Sequence, residues 1–158
     1  MSMVKIMIRK ATIKDVAGIL TLVNGYAAEG LMLPRTEDLV IQNLRDFFVA
    51  VGEKKILGCG ALHLYTDRLS EIKSLAVAQE YSRQGIATKL IKRCIAEAKD
   101  LGVPKVFTLT YVPELFLKNK FQPSVKELLP QKILEECQLC DKYTNCTEQC
   151  LVYGLSQV

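Results

Sequence analysis

The alternation of apolar and polar positions predicts a first strand at residues 4–9, where every second side chain is apolar. After Thr12 the spacing changes to that of a helix, whose apolar face consists of Ile13, Val16, Ala17, Leu20 and Val23. Asp15 follows Thr12 by three residues, the arrangement of a capping box at a helix start. A second helix is predicted for residues 36–45.

The middle of the chain predicts three consecutive strands with short polar turns between them, at residues 47–51, 56–66 and 69–77. Turns this short favour an antiparallel meander. The clearest helix covers residues 86–101, with an apolar stripe opposite a charged face, and Gly102 ends it. A buried strand at 105–110 and a short helix at 114–120 follow. This strand–helix–strand order predicts parallel pairing through a right-handed crossover.

Composition and charge exclude several classes of protein. The 158 residues are 49% apolar and 24% charged, which is typical of a globular domain. The net charge of +4 is mild and lacks the long basic surface that nucleic-acid binding requires. No apolar stretch approaches the roughly 20 residues that cross a bilayer. The first residues lack the features of a signal peptide, so we expect no membrane contact and a cytoplasmic location.

The cysteines are concentrated near the end of the chain. We predict one domain over residues 1–130 and a cysteine-rich tail, 131–158, which packs on or completes that domain. Four tail cysteines form the pattern C-x2-C-x5-C-x3-C, namely Cys137, Cys140, Cys146 and Cys150. Four thiolates can hold a structural zinc ion tetrahedrally, while redox pairing and unlinked thiols are the alternatives. Cys59 and Cys94 have the pattern of small buried residues.

A strand–loop–helix junction carries the strongest chemical signal. The strand ends at Val77, the loop contains Arg83, Gln84 and Gly85, and a helix begins next to them. Helix N-termini have backbone N–H groups without internal partners and a partial positive charge. Gly85 permits close backbone approach. The junction therefore predicts a pyrophosphate cradle, although a simple structural turn has the same outline.

This junction resembles the acetyl-CoA loop of the GNAT acetyltransferase superfamily, Arg/Gln-x-x-Gly-x-Gly/Ala after a strand that ends in an apolar-x-Val pair. Gly85 and Ala87 match that loop, and L-A-V at residues 75–77 matches the strand, whereas Ser82 occupies the position of Arg or Gln. The resemblance covers nearly all of residues 4–121. It implies a mixed α/β GNAT fold with a central, mostly antiparallel sheet flanked by helices.

The resemblance also implies a set of residues around acetyl-CoA, the expected cosubstrate: Leu75, Ala76, Val77, Arg83, Gln84, Gly85, Ile86, Ala87 and Thr88. In such enzymes the fourth and fifth strands splay apart, and a neutral amine attacks the thioester directly. Glu71 is the candidate general base, directly or through a water; its alternative role is a solvated edge carboxylate. An N–H near Ala76 or Val77 is expected to bind the oxyanion. Phe116 takes the place of the usual general-acid tyrosine, so the acid is unassigned.

A narrower resemblance concerns the acceptor amine. Residues 31–36 (L-M-L-P-R-T), 107–110 (F-T-L-T) and 127–132 (E-L-L-P-Q-K) are similar to the acetyltransferase domain of bacterial N-acetylglutamate synthases, particularly the short forms. This resemblance implies acetylation of the α-amine of L-glutamate, a step of arginine biosynthesis. It places Arg35, Arg68 and Ser74 at the substrate. Each arginine is alternatively an ordinary loop or turn cation.

Other functions remain open from the sequence. One alternative is a GNAT enzyme acting on another small amine or on a peptide N-terminus. A different class is a non-catalytic acetyl-CoA-binding or metal-responsive module, which the missing tyrosine and the cysteine tail favour. In each case the expected partner is a small molecule, and a homodimer is compatible with the family resemblance.

Overall fold

The computed structural model describes residues 5–125 and 149–154, and within these ranges it contains one seven-stranded sheet. The elements, in chain order, are β1 (Met7–Lys10), α1 (Val16–Ala28), α2 (Glu37–Gln42), β2 (Phe47–Gly52), β3 (Lys55–Leu64), β4 (Leu69–Val77), α3 (Ile86–Leu101), β5 (Lys105–Thr110), α4 (Pro113–Leu117), β6 (Gln122–Ser124) and β7 (Gln149–Gly154). No helix in these ranges is sufficiently long and apolar to span a membrane.

The sheet is mixed and mostly antiparallel, in the order β1-β2-β3-β4-β5-β7-β6. Strands β1 to β4 pair antiparallel with their sequence neighbours, which confirms the predicted meander. Strand β5 pairs parallel with β4 after the chain passes through α3, and this confirms the predicted crossover connection. The fold is therefore the mixed α/β architecture that the sequence pattern predicts.

Two apolar cores lie on opposite faces of the sheet. Helices α1 and α2 pack on one face through residues such as Ile19, Val23 and Val40. Helix α3 packs on the other face through a buried stripe that consists of Ile86, Leu90, Ile91, Cys94 and Ala98. The predicted stripe comprises Ala87, Leu90, Ile91, Cys94, Ile95, Ala98 and Leu101. Four of these are buried, Ala87 and Ile95 are partly buried, and Leu101 is exposed.

Cys59 and Cys94 are buried residues of these two cores, as predicted. Burial raises the pKa of each thiol to about 12, because an apolar surrounding disfavours the thiolate. Thiolates are the nucleophilic and metal-binding form of cysteine. These two side chains therefore serve packing and not chemistry.

The start of α1 differs from the prediction. Residues Ile13–Asp15 form a 3-10 turn, and the α-helix begins only at Val16, which leaves Ile13 exposed and outside the apolar face. The Thr12–Asp15 pairing itself is confirmed, since the Thr12 N–H donates to Asp15 Oδ2 at 2.7 Å. Arg9 adds two hydrogen bonds to the same carboxylate, at 2.7 and 3.1 Å.

Two other helices end earlier than predicted. Helix α2 stops at Gln42, before a 3-10 turn at Leu44–Asp46. Helix α4 ends at Leu117 because Lys120 adopts a φ of 72° and the Phe121 N–H bonds to the Phe116 carbonyl. Strands β6 and β7 were not predicted, and β7, at Gln149–Gly154, lies between β5 and β6.

The division of the chain at residue 130 remains a prediction, because residues 126–148 lie outside the described ranges. The same holds for Cys137, Cys140 and Cys146 and for the segment 127–132. Cys150 is described, and it is buried in β7 opposite Leu109.

Replacing Asp15 by Asn tests the ion pair at the start of α1. The Arg9 hydrogen bond is the largest of the effects that lower the pKa of Asp15, so the carboxylate stabilises the fold above its unfolded pKa of about 3.9. This contribution is lost as pH falls through the lower, folded pKa. We expect Asp15→Asn to reduce the free energy of unfolding by about 1–2 kcal/mol at pH 7.

The difference should shrink as the pH falls below about 4 and vanish below the folded pKa of Asp15, where both proteins carry a neutral side chain at this position. Urea unfolding across this pH range measures it. Asp67→Asn, in an exposed turn, is the control and should change stability little. A deficit of Asp15→Asn that is equally large at the lowest pH would contradict the ionic explanation.

Candidate active site

Strands β4 and β5 separate in the middle of the sheet. They pair only at residues 69–71 of β4, although β4 continues to Val77 and β5 to Thr110. The Thr108 hydroxyl donates to the Ile72 carbonyl at 3.0 Å, where the strands diverge. The described residues of β5 do not pair with β4 beyond this point, so the rest of β4 presents an open edge toward β5.

A β-bulge lies on this part of β4. Ala61 pairs with Lys73 while Cys59 pairs with Ala76, so β4 has one more residue than β3 between these pairs. Ser74, within the bulge, has a φ of 55°. Because the Ala78 N–H bonds to Leu57 in β3, the period of two places the backbone groups of Val77 and Leu75 on the open edge.

The same geometry decides which N–H can bind an oxyanion. Ala76 lies opposite Cys59, two residues before Ala78, whose N–H bonds to Leu57, so the Ala76 N–H is directed toward β3 and away from the open edge. Val77 is therefore the better donor of the two predicted residues. The hydroxyl of Tyr26, in α1, donates to the Val77 carbonyl at 2.6 Å and holds this end of β4 against the helix.

The loop before α3 has the backbone geometry of an anion site. Arg83 and Gly85 both have positive φ, 64° and 79°, on either side of Gln84. Such alternation turns successive N–H groups toward one side and forms a concavity for anions, directly at the helix N-terminus. A Cβ built on Gly85 would have no heavy atom within 4 Å, so its conformation and not lack of space requires glycine.

Two further observations concern this loop and the start of α3. The Oε1 atom of Gln84 is the single buried side-chain oxygen or nitrogen in the described residues that has no hydrogen-bond partner, and a ligand donor would satisfy it. A Cβ on Gly58 of β3 would come within 3.1 Å of Ile86 and 3.2 Å of the Ala76 carbonyl. This close contact holds the start of α3 against the open strand.

The predicted base lies at the point where the strands diverge. Glu71 is only 7% exposed and accepts a hydrogen bond of 2.8 Å from the Tyr65 hydroxyl. Lys73 lies two residues further along β4 on the same face, the one that α1 covers. Its Nζ is 3.5 Å from the Tyr65 oxygen. Sequence analysis missed Lys73, although strand alternation would have placed it beside Glu71; for Tyr65 it gave no signal.

The predicted substrate residues occupy different places. Arg35 is half-buried, and Asn24 of α1 holds its backbone by two hydrogen bonds, of 2.9 and 3.0 Å. Ser74 lies in the bulge of β4. Arg68 is exposed in the β3–β4 turn, at the opposite end of β4 from Val77, about 30 Å away at roughly 3.3 Å per residue. Ser74 therefore lies on the strand with the open edge and Arg35 is held by α1, whereas Arg68 is distant from the loop.

Phe116, at the position of the usual acid, is buried and packs edge-on against Phe121, with ring centroids 5.1 Å apart. It is a core residue. His63 hydrogen-bonds to Asp46, with 2.6 Å between Nδ1 and Oδ2. The described part of the chain contains no group of three potential metal ligands, so the zinc site, most of which lies outside it, stays a prediction.

Comparison with known proteins agrees with this geometry. Residues 17–116 match the Acetyltransferase (GNAT) family. The uncharacterized N-acetyltransferase CT2212 of Chlorobaculum tepidum is 38% identical over 94% of this chain and 96% of its own length. The amino-acid acetyltransferase of Mycobacterium tuberculosis is 30% identical over 86% of this chain and 78% of its own length. That of Pseudomonas putida is 32% identical over 78% of this chain, which spans only 29% of that relative.

Two crystal structures are similar over nearly the whole chain. Rv2747 from Mycobacterium tuberculosis, solved in complex with CoA and NLQ, is 26% identical, with a TM-score of 0.83 over 95% of this chain and 99% of its own. N-acetylglutamate synthase from Neisseria gonorrhoeae has a TM-score of 0.88 at 22% identity, over 99% of this chain and 36% of its own.

The chain therefore belongs to the GNAT family of acetyltransferases. It is an N-acetyltransferase of the GNAT type that uses acetyl-CoA as its cosubstrate.

Replacing Gly85 by Ala tests the cradle. We expect a loss of about 1–2 kcal/mol in the free energy of unfolding, because alanine disfavours the left-handed conformation. Displacement of the N–H donors should raise the dissociation constant of acetyl-CoA by about tenfold, which is close to the free energy of one charge-assisted hydrogen bond. Calorimetric titration and urea unfolding measure the two effects.

Gly25→Ala is the matched control. Gly25 lies well inside the length of α1, on its solvent-exposed side, and a Cβ there also meets nothing within 4 Å. This change should stabilise the protein by about 0.5–1 kcal/mol and leave acetyl-CoA affinity unchanged. Equal effects of the two substitutions would contradict the role given to the backbone of Gly85.

Proposed function

We propose that this enzyme transfers the acetyl group of acetyl-CoA to the α-amine of L-glutamate. The observation that carries the proposal is the buried Glu71 carboxylate beside the open edge of β4, on the same sheet face as the cation Lys73. An acidic amino acid brings an ammonium group, which needs a base, and two carboxylates, which need cations.

The proposed reaction proceeds in one displacement. Glu71 removes a proton from the α-ammonium group, directly or through a water, and the free amine attacks the thioester carbonyl carbon. The Val77 N–H stabilises the oxyanion that forms. The oxyanion then collapses to the amide as the C–S bond breaks. The nitrogen gives up its second proton to solvent, and the CoA thiolate takes up a proton from solvent.

Arg35 is the proposed contact for a substrate carboxylate. Its backbone is fixed to Asn24 of α1, and α1 is the helix that covers the Glu71 face of β4 and holds Val77 through Tyr26. A guanidinium group suits a carboxylate because it can donate two parallel hydrogen bonds. Ser74 is the second proposed contact, from the bulge. The relatives named amino-acid acetyltransferase support an amino acid as acceptor.

A panel of acceptors tests the substrate. Purified protein with acetyl-CoA is supplied with L-glutamate, L-aspartate, L-glutamine, L-lysine or a short peptide, and release of the CoA thiol is followed. We expect kcat/KM for L-glutamate to exceed that for L-aspartate by about tenfold or more, the usual cost of one misplaced methylene.

A panel in which glutamate is no better than the other amines would overturn the substrate assignment and favour another small amine or a peptide N-terminus. Tight acetyl-CoA binding without turnover of any amine would instead favour a non-catalytic binding module. Repeating the panel with a chelator tests whether a metal takes part.

Arg35→Ala tests the carboxylate contact. Loss of a hydrogen-bonded charge should raise the KM for glutamate by about tenfold to a hundredfold, while the dissociation constant of acetyl-CoA stays the same. Arg45→Ala, an exposed arginine in a 3-10 turn, is the control and should alter neither value. An unchanged KM in Arg35→Ala would show that this arginine is only a loop cation.

A further inference from the structure

The Tyr65 side chain is held on three sides beside Glu71. The edge of the His63 ring contacts the Tyr65 ring, with centroids 4.9 Å apart and planes at 79°. Phe107 of β5 lies 6.0 Å away on a tilted plane. The Nζ atom of Lys73 lies 5.9 Å from the Tyr65 ring centroid. The ring therefore has little freedom to move its hydroxyl away from the carboxylate.

The hydroxyl itself joins two charged groups. It donates to Glu71 Oε1 at 2.8 Å, while the Lys73 ammonium lies 3.5 Å from its oxygen. Glu71 pairs directly with His63 across the β3–β4 ladder and with Phe107 across the β4–β5 ladder. The titratable groups that the described neighbours present around Glu71 include Tyr65, Lys73 and His63.

His63 is in turn fixed from outside. Its Nδ1 hydrogen-bonds to Asp46, which ends the 3-10 turn before β2. This hydrogen bond ties the start of β2 to the ring that contacts Tyr65. A chain of contacts therefore runs from Asp46 through His63 and Tyr65 to Glu71, and each link is made by a side chain of fixed position.

We propose that Tyr65 is a positioning residue for this enzyme: its hydroxyl fixes the orientation of the Glu71 carboxylate and keeps it ionised for proton removal. This inference rests on the proposed role of Glu71 as the base. A hydrogen bond donated to a carboxylate favours its charged form, and a nearby ammonium group acts in the same direction. A buried carboxylate without these partners would be protonated more readily and would be ionised, and so available as a base, only at higher pH.

Tyr65→Phe removes the hydroxyl and keeps the ring with its packing contacts. The titration of Glu71 is followed by ¹³C NMR of protein labelled at the glutamate side-chain carboxyl, and Glu71→Gln identifies the resonance. We expect the titration midpoint of Glu71 to rise by about one pH unit in Tyr65→Phe, the effect of losing one hydrogen bond to a charged group.

Tyr81→Phe is the matched control for the titration. Its hydroxyl also hydrogen-bonds to a glutamate, Glu53, at 3.1 Å, but in an exposed turn. This variant should leave the Glu71 midpoint unchanged. A midpoint that stays the same or falls in Tyr65→Phe would overturn the proposal.

A second measurement does not depend on the folding of Tyr65→Phe. In the otherwise unaltered protein, the ¹³Cζ resonance of Tyr65 should change with the same midpoint as Glu71, and this change should be absent in Glu71→Gln. A Tyr65 resonance that does not respond to Glu71 would overturn the coupling.

Steady-state kinetics, measured with the best acceptor from the panel, connect the Glu71 titration to catalysis. The acidic limb of kcat/KM should move upward by the same amount in Tyr65→Phe, with the KM for acetyl-CoA unchanged, because a merely structural defect would lower rates without moving the limb. A Glu71→Gln enzyme with full activity would remove the base and this inference together. If L-glutamate is not an acceptor, every one of these measurements can still be made with another acceptor.

Discussion

The early end of pairing between β4 and β5 is the constraint on which the site depends. The β4–β5 ladder stops at Glu71. Beyond it, the Ile72 carbonyl accepts a hydrogen bond from the Thr108 side chain of β5 in place of a β5 backbone N–H. A closed sheet would have used the backbone groups of Leu75 and Val77 for its own stability. Because β5 diverges, these groups lie at an open edge. Tyr26 takes the Val77 carbonyl, and an extended ligand can add to the other groups as another strand would.

The proposed anion cradle depends on backbone geometry and on glycine at position 85. Positive φ at Arg83 and Gly85 turns the loop so that N–H groups converge at the start of α3. A non-glycine residue in this conformation costs about 1–2 kcal/mol, and packing of Ile86 against β3 keeps the loop in place. This accounts for the departure at Ser82 from the usual pattern, since backbone donors are available whatever residue stands there.

The acceptor half of the site combines groups that are unfavourable when buried singly. A carboxylate at Glu71 is stabilised by the Tyr65 hydroxyl and the neighbouring Lys73, and His63 with Asp46 fixes the surrounding rings. Each partner reduces the cost of burying the charge and also restricts its orientation. Stability and preorganisation therefore have the same source here, on the face of β4 that α1 covers.

The sequence by itself determined the element order, the meander, the crossover and the α3 loop, because periodicity and local helix-start chemistry act over a few residues. It also singled out Glu71 as the base, although that role remains a proposal. It misplaced the start of α1 and the end of α4, where single turns compete with an α-helix. It also missed strands β6 and β7 and the proposed role of Tyr65. Strand β7 depends on pairing with the distant strand β5, whereas Tyr65 meets Glu71 across the short β3–β4 turn. Only the tertiary structure could decide them, since contacts of this kind are set by the register and splay of the strands and leave no periodic signal in the chain.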